Sequence, residues 1–426
     1  MKKYSIAIFI LLALGAQAKE LTDLEKVMAL GGLTSAPAVY TTSGEATEVD
    51  CVGSIQSIMY EGQDYNGKAT RAWAYIGMPA GASEEKPVPA VVCLHGGGGT
   101  AFSAWVQKWN RRGYAAISMD TGGNIVDPET KKKVRHEWSG PPHDRIYADK
   151  NKPIEGQFMY HATANAILAN SLLRSLPEVD ADKVGLTGVS WGGVITSTVI
   201  GIDNRFAFAI PTYGCGHMFD ASSHWGPILK NNKMYRTVWD PVLRLKNATL
   251  PVLWFSSPQE KIFPMDSFAD SYRAASGPRM VSLVSGMGHG HGKMWLRPES
   301  YDFADDIISH GTGWCVQQSL KLNGSTVEVV FAATRKLKSA SLLYVTGTGN
   351  VGTLAWTEID VTSMVERPSS GMWTITAELP VDATGWFVNT TAKANIGATL
   401  GLVLSLQVPT TRRSYTQIQF RLIGRI

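Results

Sequence analysis

The reading of this chain turns on Lys183-Val184-Gly185-Leu186-Thr187-Gly188-Val189-Ser190-Trp191-Gly192-Gly193-Val194-Ile195. An apolar run ends in Gly-x-Ser-x-Gly and passes straight into a helix-like run, which predicts a strand, a sharp turn and a helix. At such a turn the neighbours of the serine must lack a Cβ. The serine itself is held in strained backbone geometry, with its oxygen exposed at the strand's C-terminal end. Ser190 is therefore the candidate nucleophile. A glycine-rich loop that happens to hold a serine has the same local pattern, so the surrounding chain has to decide.

Upstream and downstream, strand-like and helix-like runs alternate. Residues 53–59 and 70–78 read as two strands joined by a turn containing Asn66-Gly67. Short buried strands are expected at 90–94, 114–119, 184–187, 206–211, 252–255 and 280–284. Helical spacing is expected at 105–112, 158–176, 194–202, 265–275 and 300–308. This alternation predicts an α/β fold with a mostly parallel sheet covered on both faces. Polar insertions at about 120–155 and 214–249 interrupt it. After Gly313 the period changes to short β-branched runs, at 326–332, 339–345, 357–361, 373–379, 385–389, 401–406 and 418–422. These predict a C-terminal all-β, immunoglobulin-like sandwich. The expected division is a signal peptide at 1–18, an N-terminal extension at 19–50, a catalytic domain at 51–313 and the sandwich at 314–426.

The N-terminus reads as an export signal. Lys2 and Lys3 precede an apolar run over 6–14 and the small-x-small site Ala16-Gln17-Ala18. That run is too short to span a membrane comfortably, so the expectation is a secreted or periplasmic protein with no membrane span. A net charge of +4 on 426 residues gives no support to nucleic-acid binding. The Cys and His spacings match no metal site, and no cofactor is expected. Export permits disulfides, and Cys51 and Cys315, which flank the catalytic segment, are candidates for a bridge.

A second glycine-rich segment, His95-Gly96-Gly97-Gly98-Gly99, follows the run at 90–94, and Gly286-Met287-Gly288-His289-Gly290-His291 follows the run at 280–284. In this order the motifs resemble the α/β-hydrolase superfamily. Trp109-Asn110-Arg111-Arg112-Gly113-Tyr114 and Tyr213-Gly214-Cys215-Gly216 are similar to secreted bacterial esterases related to dienelactone hydrolase and acetylxylan esterase. The resemblance covers about 51–308. It implies an α/β-hydrolase fold and a chain order of nucleophile, acid, histidine. His289 or His291 could serve as the base, and the family's Gly-x-Gly-His pattern implies His289. The family places Asp four residues before a Pro in the acid loop. Here Glu260 holds that place, ahead of Pro264, with Asp266 as the alternative.

The chemistry needs this set. A serine hydroxyl is a poor nucleophile until a base takes its proton, and an acid fixes the base's tautomer. The oxyanion needs backbone N–H donors, expected from Trp191 and from Gly97. Four successive glycines let backbone approach an ester closely. The loop lacks the Gly-Lys-Ser/Thr ending of a phosphate cradle. The insertions are expected to wall the substrate site, with Arg135, Trp225 and His291 as candidate substrate contacts. With the export signal, the resemblance implies ester hydrolysis on an esterified polysaccharide, with removal of O-acetyl first and a uronate methyl ester second. A prolyl-oligopeptidase-type peptidase and a non-catalytic glycan-binding scaffold are the rivals.

Overall fold

In the computed structural model, residues 21–144, 146–369, 371–392 and 397–404 are described. The proposed signal segment at 1–18 and the expected strand at 418–422 lie outside them. The central strands are β1 (Ile55–Glu61), β2 (Arg71–Gly77), β3 (Val88–Leu94), β4 (Ala115–Met119), β5 (Val179–Val189), β6 (Phe208–Thr212), β7 (Val252–Ser256) and β8 (Arg279–Leu283). In space they run β1-β2-β4-β3-β5-β6-β7-β8. From β4 to β8 every pairing is parallel, while β1 and β2 are antiparallel. β4, β6 and β7 are buried at every position, as expected of strands covered on both faces. Helix α1 (Ser103–Asn110), α2 (Phe158–Ser175), α3 (Trp191–Val199), α4 (Met265–Ala274) and α5 (Pro298–His310) supply the cover. α2 buries nearly its whole circumference, because Ala at 162, 164, 166 and 169 lets it lie close to the sheet. Among the described residues no helix is long and apolar enough to cross a membrane.

The C-terminal part is all-β, in two sheets. β9 (Cys315–Asn323), β10 (Thr326–Ala333), β13 (Val365–Ser369) and β14 (Met372–Glu378) form a four-stranded sheet in the order β9-β10-β14-β13. β11 (Leu337–Thr346), β12 (Thr357–Asp360), β15 (Ala383–Ala392) and β16 (Gly397–Leu404) do not close a second free-standing sheet. They continue the central one, in the order β8-β16-β15-β11-β12. The expected separate immunoglobulin-like sandwich is not what is found. β8 would otherwise leave a row of backbone N–H and C=O groups unpaired, and antiparallel pairing of Val281 with Thr399 covers that edge. Short β-branched runs show that strands form, but not which edge they join. Val327, Val329, Phe331 and Ile375 belong to the same buried apolar cluster as Ala340, Leu342 and Phe387 and as the hydrolase core.

All four cysteines are free and buried, which corrects the Cys51–Cys315 bridge. The Cys315 thiol instead meets the Thr390 hydroxyl at 3.8 Å. Burial raises both the Cys51 and Cys315 thiols to about 12.

Candidate active site

β5 ends at Val189 and α3 begins at Trp191, leaving Ser190 alone in the turn. Ser190 has φ 58° and ψ −118°, in a region that side chains rarely adopt. The flanking glycines serve close approach. A Cβ on Gly188 would overlap the Gly192 carbonyl, and one on Gly192 would overlap the carbonyl of Leu94 at the end of β3. The elbow motif is thus a packing requirement between one strand, one helix and the neighbouring strand.

His289 follows β8 and Glu260 follows β7, so both reach the C-terminal edge of the sheet beside the elbow. His289 Nε2 lies 3.0 Å from Ser190 Oγ, and His289 Nδ1 lies 2.8 Å from Glu260 Oε2. Glu260 is 2% exposed. Its other oxygen, Oε1, accepts the backbone N–H groups of Ile262 (2.7 Å) and Phe263 (3.2 Å). These donors compensate burial of the carboxylate and fix which oxygen faces the imidazole. Asp266 is not brought to the histidine. It sits in the first turn of α4 and accepts the Ser222 N–H at 3.2 Å. Burial pushes its carboxyl upward.

Two aromatic rings hold His289, and neither is given a role by the sequence. Tyr213 stacks on it at 4.6 Å with an interplanar angle of 29°, and Phe263 lies nearly parallel at 6.1 Å. Tyr213 has φ 63°, and its hydroxyl donates to the Gly288 carbonyl at 2.6 Å. Burial, with Glu260 nearby, raises its phenol well above the usual value. Its place at the end of a strand, in Tyr213-Gly214-Cys215-Gly216, is legible in the sequence, but its partner 75 residues on is not.

The glycine loop lies against the elbow. A Cβ on Gly96 would come 2.9 Å from Ser190 Cβ. Gly96 N–H is already committed, donating to His291 Nε2 at 2.7 Å. Gly97 N–H has no hydrogen bond among the described residues. Trp191 N–H is the first of α3 and has no acceptor within the helix. These are the two donors named from the sequence. The loop is pinned elsewhere by Lys133 Nζ on the Gly98 and Gly99 carbonyls, both at 3.0 Å, and by Thr100 Oγ1 on Asp120 Oδ2 at 2.9 Å.

The three candidate substrate contacts, His291, Arg135 and Trp225, each meet other parts of the protein. His291 anchors the glycine loop, as just described, and its ring packs on Phe102 and Trp295. Arg135 gives its guanidinium to the Gly122 and Gly140 carbonyls, holding the first insertion together. Trp225 is buried, edge-on to Trp191 at 5.5 Å, and with Tyr147, Trp191, Met218 and Phe263 lines a cavity of about 10 Å³. Sequence position placed these residues in walls. It could not say that backbone carbonyls and other rings had already claimed them.

The acetyl xylan esterase family model matches residues 47–220, which include β1 through β6, the glycine loop and the elbow. Over that segment the chain is similar to the acetyl xylan esterase family. Among curated proteins it is 25% identical over 161 residues to an uncharacterized peptidase, YuxL, of Bacillus subtilis (strain 168). That match takes in 36% of this chain and 21% of the relative, so the chain spans about a fifth of that relative's length. Similar solved structures include an acetyl xylan esterase from Paenibacillus sp. R4, at 18% identity and TM-score 0.49, covering 64% of this chain and 91% of that one. Another is an acylaminoacyl peptidase from Pyrococcus horikoshii, at 17% identity and TM-score 0.45, covering 60% and 41%.

The role of His291 in this esterase-like site makes a pH prediction. Burial, with His95, His289 and Lys133 nearby, lowers it from 6.5 to about 4. A histidine kept neutral by folding is protonated more readily in the unfolded chain between those values. Its contribution to stability is therefore full above pH 6.5 and lost as pH falls toward 4, by roughly 3 kcal/mol at most. Melting temperature followed against pH should fall more steeply in that window for the wild type than for His291→Gln. Parallel curves would exclude the anchoring role.

Proposed function

We propose that the protein is an exported carbohydrate O-deacetylase. In this reading Ser190 attacks the acetyl carbonyl, His289 takes the hydroxyl proton at Nε2, and Glu260 holds the imidazole by Nδ1–H. The oxyanion is met by the N–H groups of Gly97 and Trp191. The sugar hydroxyl leaves with the proton from His289, giving an acetyl-enzyme. Water, deprotonated by the same histidine, then releases acetate.

The observation that carries the reading is the unbroken chain from Ser190 Oγ through His289 to Glu260. The choice of acyl group rests on the match of residues 47–220 to the acetyl xylan esterase family. The uronate methylesterase alternative would place the sugar ring on the acyl side of the ester and release methanol. Export is supported by the signal-like sequence at 1–18, and a plant or algal polysaccharide by the match to the acetyl xylan esterase family.

Purified protein should release acetate from acetylated xylan and p-nitrophenyl acetate, and neither methanol from methyl-esterified pectin nor amine from a prolyl peptide. Methanol without acetate would replace this reading with the methylesterase one. Peptide cleavage that exceeds ester cleavage would replace it with the peptidase one.

A further inference from the structure

The C-terminal β region reaches the acid loop at one short turn. After β11 the chain makes a 3-10 turn, Val351–Thr353, in which Val351 and Gly352 are buried. Gly352 lies directly on the backbone of Glu260. A Cβ added there would overlap the Glu260 carbonyl oxygen and lie 2.6 Å from its carbonyl carbon. Only a residue without a side chain lets the two backbones come so close. Asn350 completes the contact. Its Nδ2 donates to the Lys261 carbonyl at 3.0 Å, and its Oδ1 accepts the Gly352 N–H at 3.0 Å.

The turn is itself held firmly. Thr353 Oγ1 donates to the Asn350 carbonyl at 2.7 Å, and Trp356 Nε1 donates to the Val351 carbonyl at 3.2 Å. Trp356 packs at 5.0 Å on Phe387 of β15. The histidine side has a parallel support. Asn389 of β15 donates to the carbonyl of Leu283, the last residue of β8, from which the chain runs on to His289. Both arms of the Ser190–His289–Glu260 chain are thus buttressed by strands that follow the hydrolase elements in sequence.

We propose that the Asn350–Thr353 turn is a positioning device for the catalytic acid, with Asn350 and Gly352 as its positioning residues. The proposal rests on Glu260 being that acid. Glu260 is fixed from inside by the Ile262 and Phe263 N–H groups, which set the carboxylate relative to its own loop. Those bonds do not set the loop relative to the sheet. The turn does, by pressing on the Glu260 carbonyl and holding the next one. Displacing that backbone by about an ångström lengthens the bond to His289, and a misplacement of that size can cost about a hundredfold in rate.

The test is a double-mutant cycle on the full chain, with kcat and KM measured on p-nitrophenyl acetate alongside melting temperature. Gly352→Ala should lower kcat about 10- to 100-fold and leave KM within about 2-fold. On a Glu260→Gln background the same change should cost less than about 3-fold, because the interaction it disturbs is already gone. Asn350→Ala, which removes one hydrogen bond and adds no bulk, should show the same pattern at about 3- to 10-fold. It decides the matter if Gly352→Ala does not fold. Equal losses on both backgrounds, or a silent pair of variants beside a crippled Glu260→Gln, would overturn the positioning role alone. A near-normal Glu260→Gln would instead remove the acid assignment, and this proposal with it.

Discussion

Ser190→Ala should reduce kcat by about 10⁴- to 10⁶-fold while the protein stays folded. The substitution keeps the Cβ and removes Oγ, the atom 3.0 Å from His289 Nε2. The backbone strain at φ 58° is unchanged, because alanine suffers it as serine does. Melting temperature should therefore move little. What is left after the change is a site that still binds the ester and still offers the Gly97 and Trp191 N–H donors, so a residual rate above that of buffer is expected. The check is kcat on p-nitrophenyl acetate with protein made free of wild-type enzyme, together with acetate release from acetylated xylan. Activity that survives loss of Ser190 on both substrates would remove the elbow from the mechanism.

Glu260→Gln should cost about 10⁴-fold in kcat with little change in fold. The structure makes this sharper than a generic loss of charge. Oε1 accepts two backbone N–H groups, from Ile262 and Phe263, so that position of a glutamine must be its oxygen. The amide NH₂ is then forced to face His289 Nδ1. An N–H facing Nδ1 requires the ring to carry its proton on Nε2, pointed at Ser190 Oγ, which is the wrong tautomer for a base. Higher pH does not rescue this fault, because the defect is one of tautomer and not of total protonation. Asp266→Asn serves as the contrast. It leaves the His289 contacts intact, so kcat should stay within a few-fold. A near-normal Glu260→Gln beside a dead Asp266→Asn would transfer the role to Asp266.

The three residues of the Ser190–His289–Glu260 chain are legible in the amino-acid sequence, and the reason is local. A nucleophile turn demands glycines at fixed offsets, and β7 and β8 deliver their following loops to the same sheet edge in any fold of this order. Glu260 stands out over Asp266 because it holds the place four residues before Pro264, while Asp266 is engaged with Ser222, 44 positions earlier. The neighbours that hold those side chains are less legible. Tyr213 stacks on a histidine 76 positions later, and Lys133 reaches carbonyls 34 and 35 positions earlier. His291 and Arg135 bond to distant backbone and Trp225 packs edge-on to Trp191, contacts that their own segments do not announce.

Sequence by itself determined the alternation of the eight central strands with their covering helices, the sharp turn at Ser190 and the residue types that can pass a proton to and from it. Each follows from backbone sterics or side-chain chemistry acting within a few residues. Tertiary structure alone decided the fate of the C-terminal strands. Nothing in β-branched runs after Gly313 says that β16 will pair with β8, or that Gly352 will rest on Glu260. Strand pairing is settled by which open edge and which apolar face are left to cover once the parallel sheet has formed, and both are properties of the assembled core.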